Sequence, residues 1–164
     1  MILYHGSIVK VEAPQILPGE IGRDFGFAFY TTDIKEQAER WALRKARVAD
    51  RRKAGNKAVV SIYEWQEDSA LKIKRFPEPS LEWLDMVVKC RSDISFHHGY
   101  DVVIGKIADD NVGETVSYVI QGIMRKEDAA ERLKFEKINN QIAFCTENAL
   151  KELYFKGSYE IGVK

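Results

Sequence analysis

Short β-branched and aromatic runs open and close this chain, and helix-patterned stretches lie between them in no regular alternation. Strand-like segments at residues 1–7, 26–32, 58–65, 71–76, 100–105, 139–145 and 154–163 are separated by helical patterns of uneven number and length. A regular β-α-β alternation would build a doubly wound parallel sheet; its absence predicts an α+β fold. Neither of the familiar Gly-rich phosphate loops occurs, so a nucleotide would have to be held in another way. At 164 residues and 45% hydrophobic the chain is large enough for one well-cored domain and small for two, and residues 1–164 read as one unit. No internal repeat, low-complexity tract or Gly/Ser linker divides it.

The stretch organising the rest is Gly26-Phe27-Ala28-Phe29-Tyr30-Thr31-Thr32 with the helix after it. It predicts a strand delivering one exposed aromatic, Tyr30, to a helix mouth, a place to hold a flat ring. Asp33 and Glu36 have the spacing of a helix N-terminus in which the first caps and the fourth reaches back. Ile34, Ala38, Trp41, Ala42 and Ala49 then recur at helical spacing as an inward stripe. Trp41 needs no explanation beyond core packing, yet its position also lets it offer a ring to the space beside Tyr30. The expected partners are His5 and Gln141. Alternation along an extended chain puts Leu3 and His5 on one face and Ile2 and Tyr4 on the other. A lone strand histidine is more often structural than catalytic; Gly6 beside it lifts His5, because a glycine lets a ligand approach the backbone closely.

Elsewhere the sequence reads as scaffold. Residues 8–23 carry Pro14, Pro18, Gly19 and Gly22 and predict a loop, with Arg23-Asp24 at its end as a salt-bridged turn, a ligand contact being the alternative. Segments 58–65 and 71–76 read as partner strands. Ser80 opens a helix with Leu81, Leu84, Val87 and Val88 inward. His97-His98 lie in a polar loop without nearby Cys or paired carboxylates, so no zinc site is expected. Segment 100–105 is a buried strand, and 108–111 a polar corner leading to helices near 112–121 and 126–137. Segment 139–145 puts Gln141, Ala143 and Cys145 on one face and Ile142 and Phe144 on the other. Thr146 caps a short helix reaching residue 153.

Lys plus Arg and Asp plus Glu both number 25, so no net field draws the molecule to nucleic acid or an anionic membrane. The dense basic run Arg44 to Lys57 reads as a solvated helix face, with a polyanion contact as the sharper alternative. No apolar run has the length of a membrane span, and the start lacks a leader pattern, so a soluble, cytoplasmic protein is expected. Cys90 and Cys145, without metal or redox spacing, fit a reducing compartment.

Ile2-Leu-Tyr-His5-Gly6-Ser7, Phe25-Gly-Phe-Ala-Phe-Tyr30-Thr-Thr and Asn140-Gln141-Ile-Ala-Phe together resemble the ADP-ribosyltransferase superfamily, in its branch with a His–Tyr–Glu triad. The resemblance runs from residue 2 to about 155 and is closest to small bacterial single-domain members that end the triad in Asn-Gln. It implies a split β-sheet core with flanking helices and a central cleft for NAD as co-substrate. Carried over, His5 would hydrogen-bond a ribose hydroxyl, and the backbone of Gly6, beside Ser7, would hold the nicotinamide carboxamide. Tyr30 would stack on the nicotinamide with Trp41 as the second aromatic, and Gln141 falls where the catalytic glutamate sits. Loss of nicotinamide leaves an oxocarbenium-like ribose, so positioning and electrostatic support are what the chemistry asks for. Gln141 can accept a hydrogen bond but carries no charge and is no general base. Polymer formation is not expected. The resemblance implies a mono-ADP-ribosyltransferase, with NAD hydrolysis open to it, acting on a protein or nucleic-acid acceptor as the toxin of a toxin–antitoxin or phage-defence pair, with an antitoxin as partner. The alternatives are a non-enzymatic NAD or ADP-ribose binding module, and an interaction domain in which His5 and Tyr30 are core residues.

Overall fold

The computed structural model describes residues 1–16, 24–68, 70–106, 110–133 and 140–162. Among these the fold is mixed α+β, with strands β1 (Ile2–Ser7), β2 (Phe29–Thr31), β3 (Ala58–Trp65), β4 (Ile73–Arg75), β5 (Val102–Lys106), β6 (Asn140–Phe144) and β7 (Leu153–Ile161). The helices are α1 (Lys35–Asp50), α2 (Leu81–Ser92), α3 (Asp110–Ile120), α4 (Lys126–Leu133) and α5 (Glu147–Leu150).

The strands form two sheets, one ordered β1-β3-β7 and one ordered β2-β6-β5-β4, antiparallel except for the β4–β5 pair. A bridge between Tyr4 and Thr32 joins them, with Tyr4 N–H donating to Thr32 O at 2.8 Å and Thr32 N–H to Tyr4 O at 2.9 Å. The strand order across this seam is β7-β3-β1-β2-β6-β5-β4. Because side chains alternate, the two faces of this bent sheet carry different cores. On one face Leu3, Phe29, Tyr63, Trp65, Val102, Ile142 and Phe144 pack between the two halves. On the other, Ala38, Ala42 and Ala46 of α1 lie on Ala58 and Val60. Trp83, Leu84 and Val87 of α2, Val116 of α3 and Leu133 of α4 lie on Val103 and Ala143 of the other half. Two helical layers thus cover the same face on either side of the seam.

Several local expectations hold. Ser80 Oγ accepts from Trp83 N–H at α2 and Thr146 Oγ1 from Ala149 N–H at α5, and Ala143 lies on the face opposite Ile142 and Phe144. Others are corrected. Helix α1 starts at Lys35 after Ile34, with no side-chain cap; Asp33 accepts instead from Asn140 Nδ2 at 3.2 Å. Strand β4 pairs parallel with β5 and not with β3, because its register partners Val102 to Ile104 belong to the other sheet. Leu81 of α2 is exposed, and the fully buried Trp83 takes the core place, its indole donating to Lys106 O at 3.1 Å. Residues 17–23, 107–109 and 134–139 lie outside the described residues, and with them the second part of the 8–23 loop including Arg23, the start of the 108–111 corner and the end of the 126–137 helix. The described part of that loop runs along β3: Val11 N–H donates to Ser61 Oγ at 3.0 Å, and the Tyr63 hydroxyl donates to Val11 O.

Candidate functional site at the seam between the sheets

Register decides which candidate side chains meet. Tyr4 and Thr32 are opposed across the seam, so Tyr4 and Gly6 of β1 share a face with Tyr30 of β2. Tyr30 is opposed to Ala143 of β6, which puts Gln141, two residues before it, on that same face. The structure therefore brings Gly6, Tyr30 and Gln141 onto one side of the sheet, the side that carries α1. Ser7, like His5, falls on the opposite side.

Helix α1 adds Trp41 to this face. Gln37, Trp41 and Lys45 are spaced by four and form one row along the helix. Both ends of the row are tied down. Buried Gln37 exchanges hydrogen bonds with the Asn140 backbone at 2.9 and 3.3 Å, and Lys45 Nζ donates to Gly6 O at 2.8 Å. Trp41, half-buried and outside the core clusters, lies in the row between these two tied residues. This corrects its expected place in an inward stripe, where Ala46 and Gln37 are buried instead.

His5 reaches the group by another route. Its ring lies on the opposite face against Phe29, with centroids 4.3 Å apart, and Nδ1 is 2.7 Å from Tyr30 O. A carbonyl only accepts, so Nδ1 carries a proton and donates it to Tyr30 O. His5 thus fixes the β2 backbone at Tyr30 without touching its ring. Tyr30 itself is not a free-standing aromatic. Its hydroxyl donates to Gly26 O at 2.5 Å and accepts from Phe25 N–H at 3.1 Å, folding the phenol back onto the turn that precedes the strand.

Gly6 has a packing reason of its own. A Cβ there would stand 2.1 Å from Ala38 O and 2.8 Å from Ala42 N, so the glycine lets β1 lie directly against the α1 backbone. The space expected for a ligand on that side is filled by the helix; what Gly6 can offer a ligand is its main chain.

Gln141 is 4% exposed, and its amide is engaged: Nε2 donates to Asp24 Oδ2 at 2.8 Å and to Lys106 O at 3.2 Å. Asp24, itself buried, accepts from Arg91 Nε at 2.8 Å and also from Arg91 Nη2. Arg23 of the expected Arg23–Asp24 turn lies outside the described residues; among the described residues a cation paired with Asp24 comes from α2. Sequence reasoning singled out Asp24 only together with Arg23 and passed over Arg91, because 67 residues separate Asp24 from Arg91 and neither sits in a patterned run. The available signal was a single carboxylate directly before the aromatic stretch.

On the far side of the Phe25–Gly26 turn lies a cavity of about 250 Å³, lined among others by Phe27, Cys90, Phe96, His98 and Cys145. None of the six candidate residues lines it. His98 closes its inner wall, donating from Nε2 to Phe25 O at 3.0 Å while Nδ1 accepts from Tyr100 N–H at 3.0 Å. Burial holds the His98 pKa below its usual value. Burial likewise pushes both thiols up to about 12, so neither Cys90 nor Cys145 is an activated nucleophile. No helix among the described residues is long and apolar enough to cross a membrane.

A family model described as protein of unknown function (DUF3990) matches residues 1–155. No curated protein matches the chain, and no solved structure does.

Proposed function

This chain belongs to the DUF3990 family of proteins of unknown function, and from its site we propose that it is an NAD-dependent mono-ADP-ribosyltransferase. The observation that carries the reading is the single face shared by Gly6, Tyr30 and Gln141, on the side where α1 is tied to the seam by Gln37 and Lys45. Two sheets meeting at one bridge, with a helical layer on each side of the seam, are also what an ADP-ribosyltransferase-like split-sheet core would need.

The donor and acceptor set suits NAD. Two aromatic side chains, Tyr30 and Trp41, serve a flat ring, a main-chain amide at Gly6 serves a carboxamide, and a neutral acceptor, Gln141 Oε1, serves a ribose hydroxyl. Bound NAD would supply the ADP-ribosyl group, with nicotinamide leaving on the electron pair of its C–N bond. In this reading Tyr30 and Trp41 hold the departing ring in place, and positioning contributes most of the rate. Gln141 orients a ribose hydroxyl by accepting its hydrogen bond. The acceptor nucleophile then bonds to the ribose carbon and releases its proton to solvent. Without an ionisable group at position 141, transfer stops at one ADP-ribose unit. The sequence resemblance adds a cytoplasmic toxin role, on a protein or nucleic-acid acceptor and paired with an antitoxin.

One observation favours a second reading, a binding module for NAD or ADP-ribose: Gln141 is uncharged and tied to Asp24. Nicotinamide release from NAD by the purified protein, with and without cell lysate and beside Gln141→Ala, separates the two. Release that falls with the variant supports the transferase. Absence of release, with NAD still raising the melting temperature, supports the binding module.

A further inference from the structure

We infer that Asp24 is the positioning residue for Gln141, and that this buried carboxylate is the reason a glutamine occupies position 141. The inference rests on the transferase reading and deepens it.

The geometry fixes the amide. Asp24 Oδ2 and Lys106 O, at 2.8 and 3.2 Å from Gln141 Nε2, are both acceptors. Only the NH₂ end of a carboxamide can face two acceptors, so Oε1 is turned away from them as the group's acceptor. Donation to an anion also draws electron density toward Oε1 and strengthens it as an acceptor for a hydroxyl. Asp24 cannot swing aside, because it is 6% exposed and Arg91 holds it from α2.

The same contact excludes glutamate. A carboxylate at position 141 would face the Asp24 carboxylate and the Lys106 carbonyl at hydrogen-bond distance with no proton between them. Two carboxyl groups so placed retain one shared proton to a higher pH than either would alone. Asp24 and Gln141 thus form a matched pair of acid and amide, and exchanging the two functions keeps the bond. With Asp24→Asn and Gln141→Glu combined, the amide oxygen introduced at position 24 still accepts from Arg91, and its NH₂ donates to the carboxylate introduced at position 141.

The test is a cycle of wild type, D24N, Q141E and D24N/Q141E, read by nicotinamide release across pH and by thermal melting. D24N is expected to lower kcat about tenfold, the orienting effect of roughly one charge-assisted hydrogen bond, with KM for NAD little changed. Q141E is expected to be less stable than wild type at pH 7 and to close that gap as the pH falls toward 5. The double variant should recover part of the stability and turnover lost in Q141E, since the Lys106 carbonyl still faces a carboxylate there, with an acid limb in its kcat profile that wild type lacks. Unchanged kcat in D24N overturns the inference and leaves the transferase standing; so does additive loss in the double variant. If D24N does not fold, Q141E alone decides, since a stability deficit independent of pH also overturns it. Wild-type protein that releases no nicotinamide overturns the transferase reading, and this inference with it.

Discussion

At the residue scale, the hydroxyl and the ring of Tyr30 have separate tasks. The hydroxyl closes the Phe25–Gly26 turn through one donated and one accepted hydrogen bond, while the ring lies on the face of Gly6 and Gln141. Tyr30→Phe should therefore cost about 1 kcal/mol in denaturant unfolding and leave NAD affinity nearly intact. Tyr30→Ala removes the stacking surface too, and should weaken NAD binding and turnover together. Equal loss of NAD affinity in both variants would assign the contribution to the hydroxyl and end the stacking role.

At the element scale, the loop before β5 is tied to the turn before β2 through one imidazole. His98 holds Phe25 O with one nitrogen and Tyr100 N–H with the other, which requires the neutral ring. Burial lowers its folded pKa below the unfolded value near 6.5. The unfolded chain therefore binds the proton first as pH falls. The contribution of His98 is complete above about pH 6.5 and is lost as pH drops from there toward the folded pKa. The slope of unfolding free energy against pH between about 7 and 5.5 should be shallower in His98→Gln than in wild type. Equal slopes would show that the ring titrates alike in both states. The strand–helix contact at Gly6 obeys the same logic of close fit, since any side chain there meets the α1 backbone.

At the scale of the whole molecule, the two sheets share the Tyr4–Thr32 bridge, and α1 of one half is tied to β6 of the other by Gln37 and Asn140. Gln37→Leu leaves the Asn140 N–H and C=O without that partner and should lower stability by about 1–3 kcal/mol. It also frees one end of the row that carries Trp41. KM for NAD should rise in step, measured by nicotinamide release. A stability loss with unchanged KM would detach Trp41 from the site.

What the sequence determined by itself is local and periodic. Ser80 and Thr146 cap because hydroxyl geometry acts within one turn, and the two faces of β6 follow from alternation alone. The α+β class followed from the order of elements, and the segments holding His5, Tyr30 and Gln141 do lie side by side across the seam. Other features depend on contacts with no sequence period. Which strand β4 joins, the fold-back of the Tyr30 hydroxyl, the Ala38 carbonyl against Gly6 and the Asp24–Arg91–Gln141 group were decided when distant segments packed together. A buried carboxylate takes its meaning from the donors around it, and those donors come from β6 and α2, far along the chain. Only the tertiary structure could choose them.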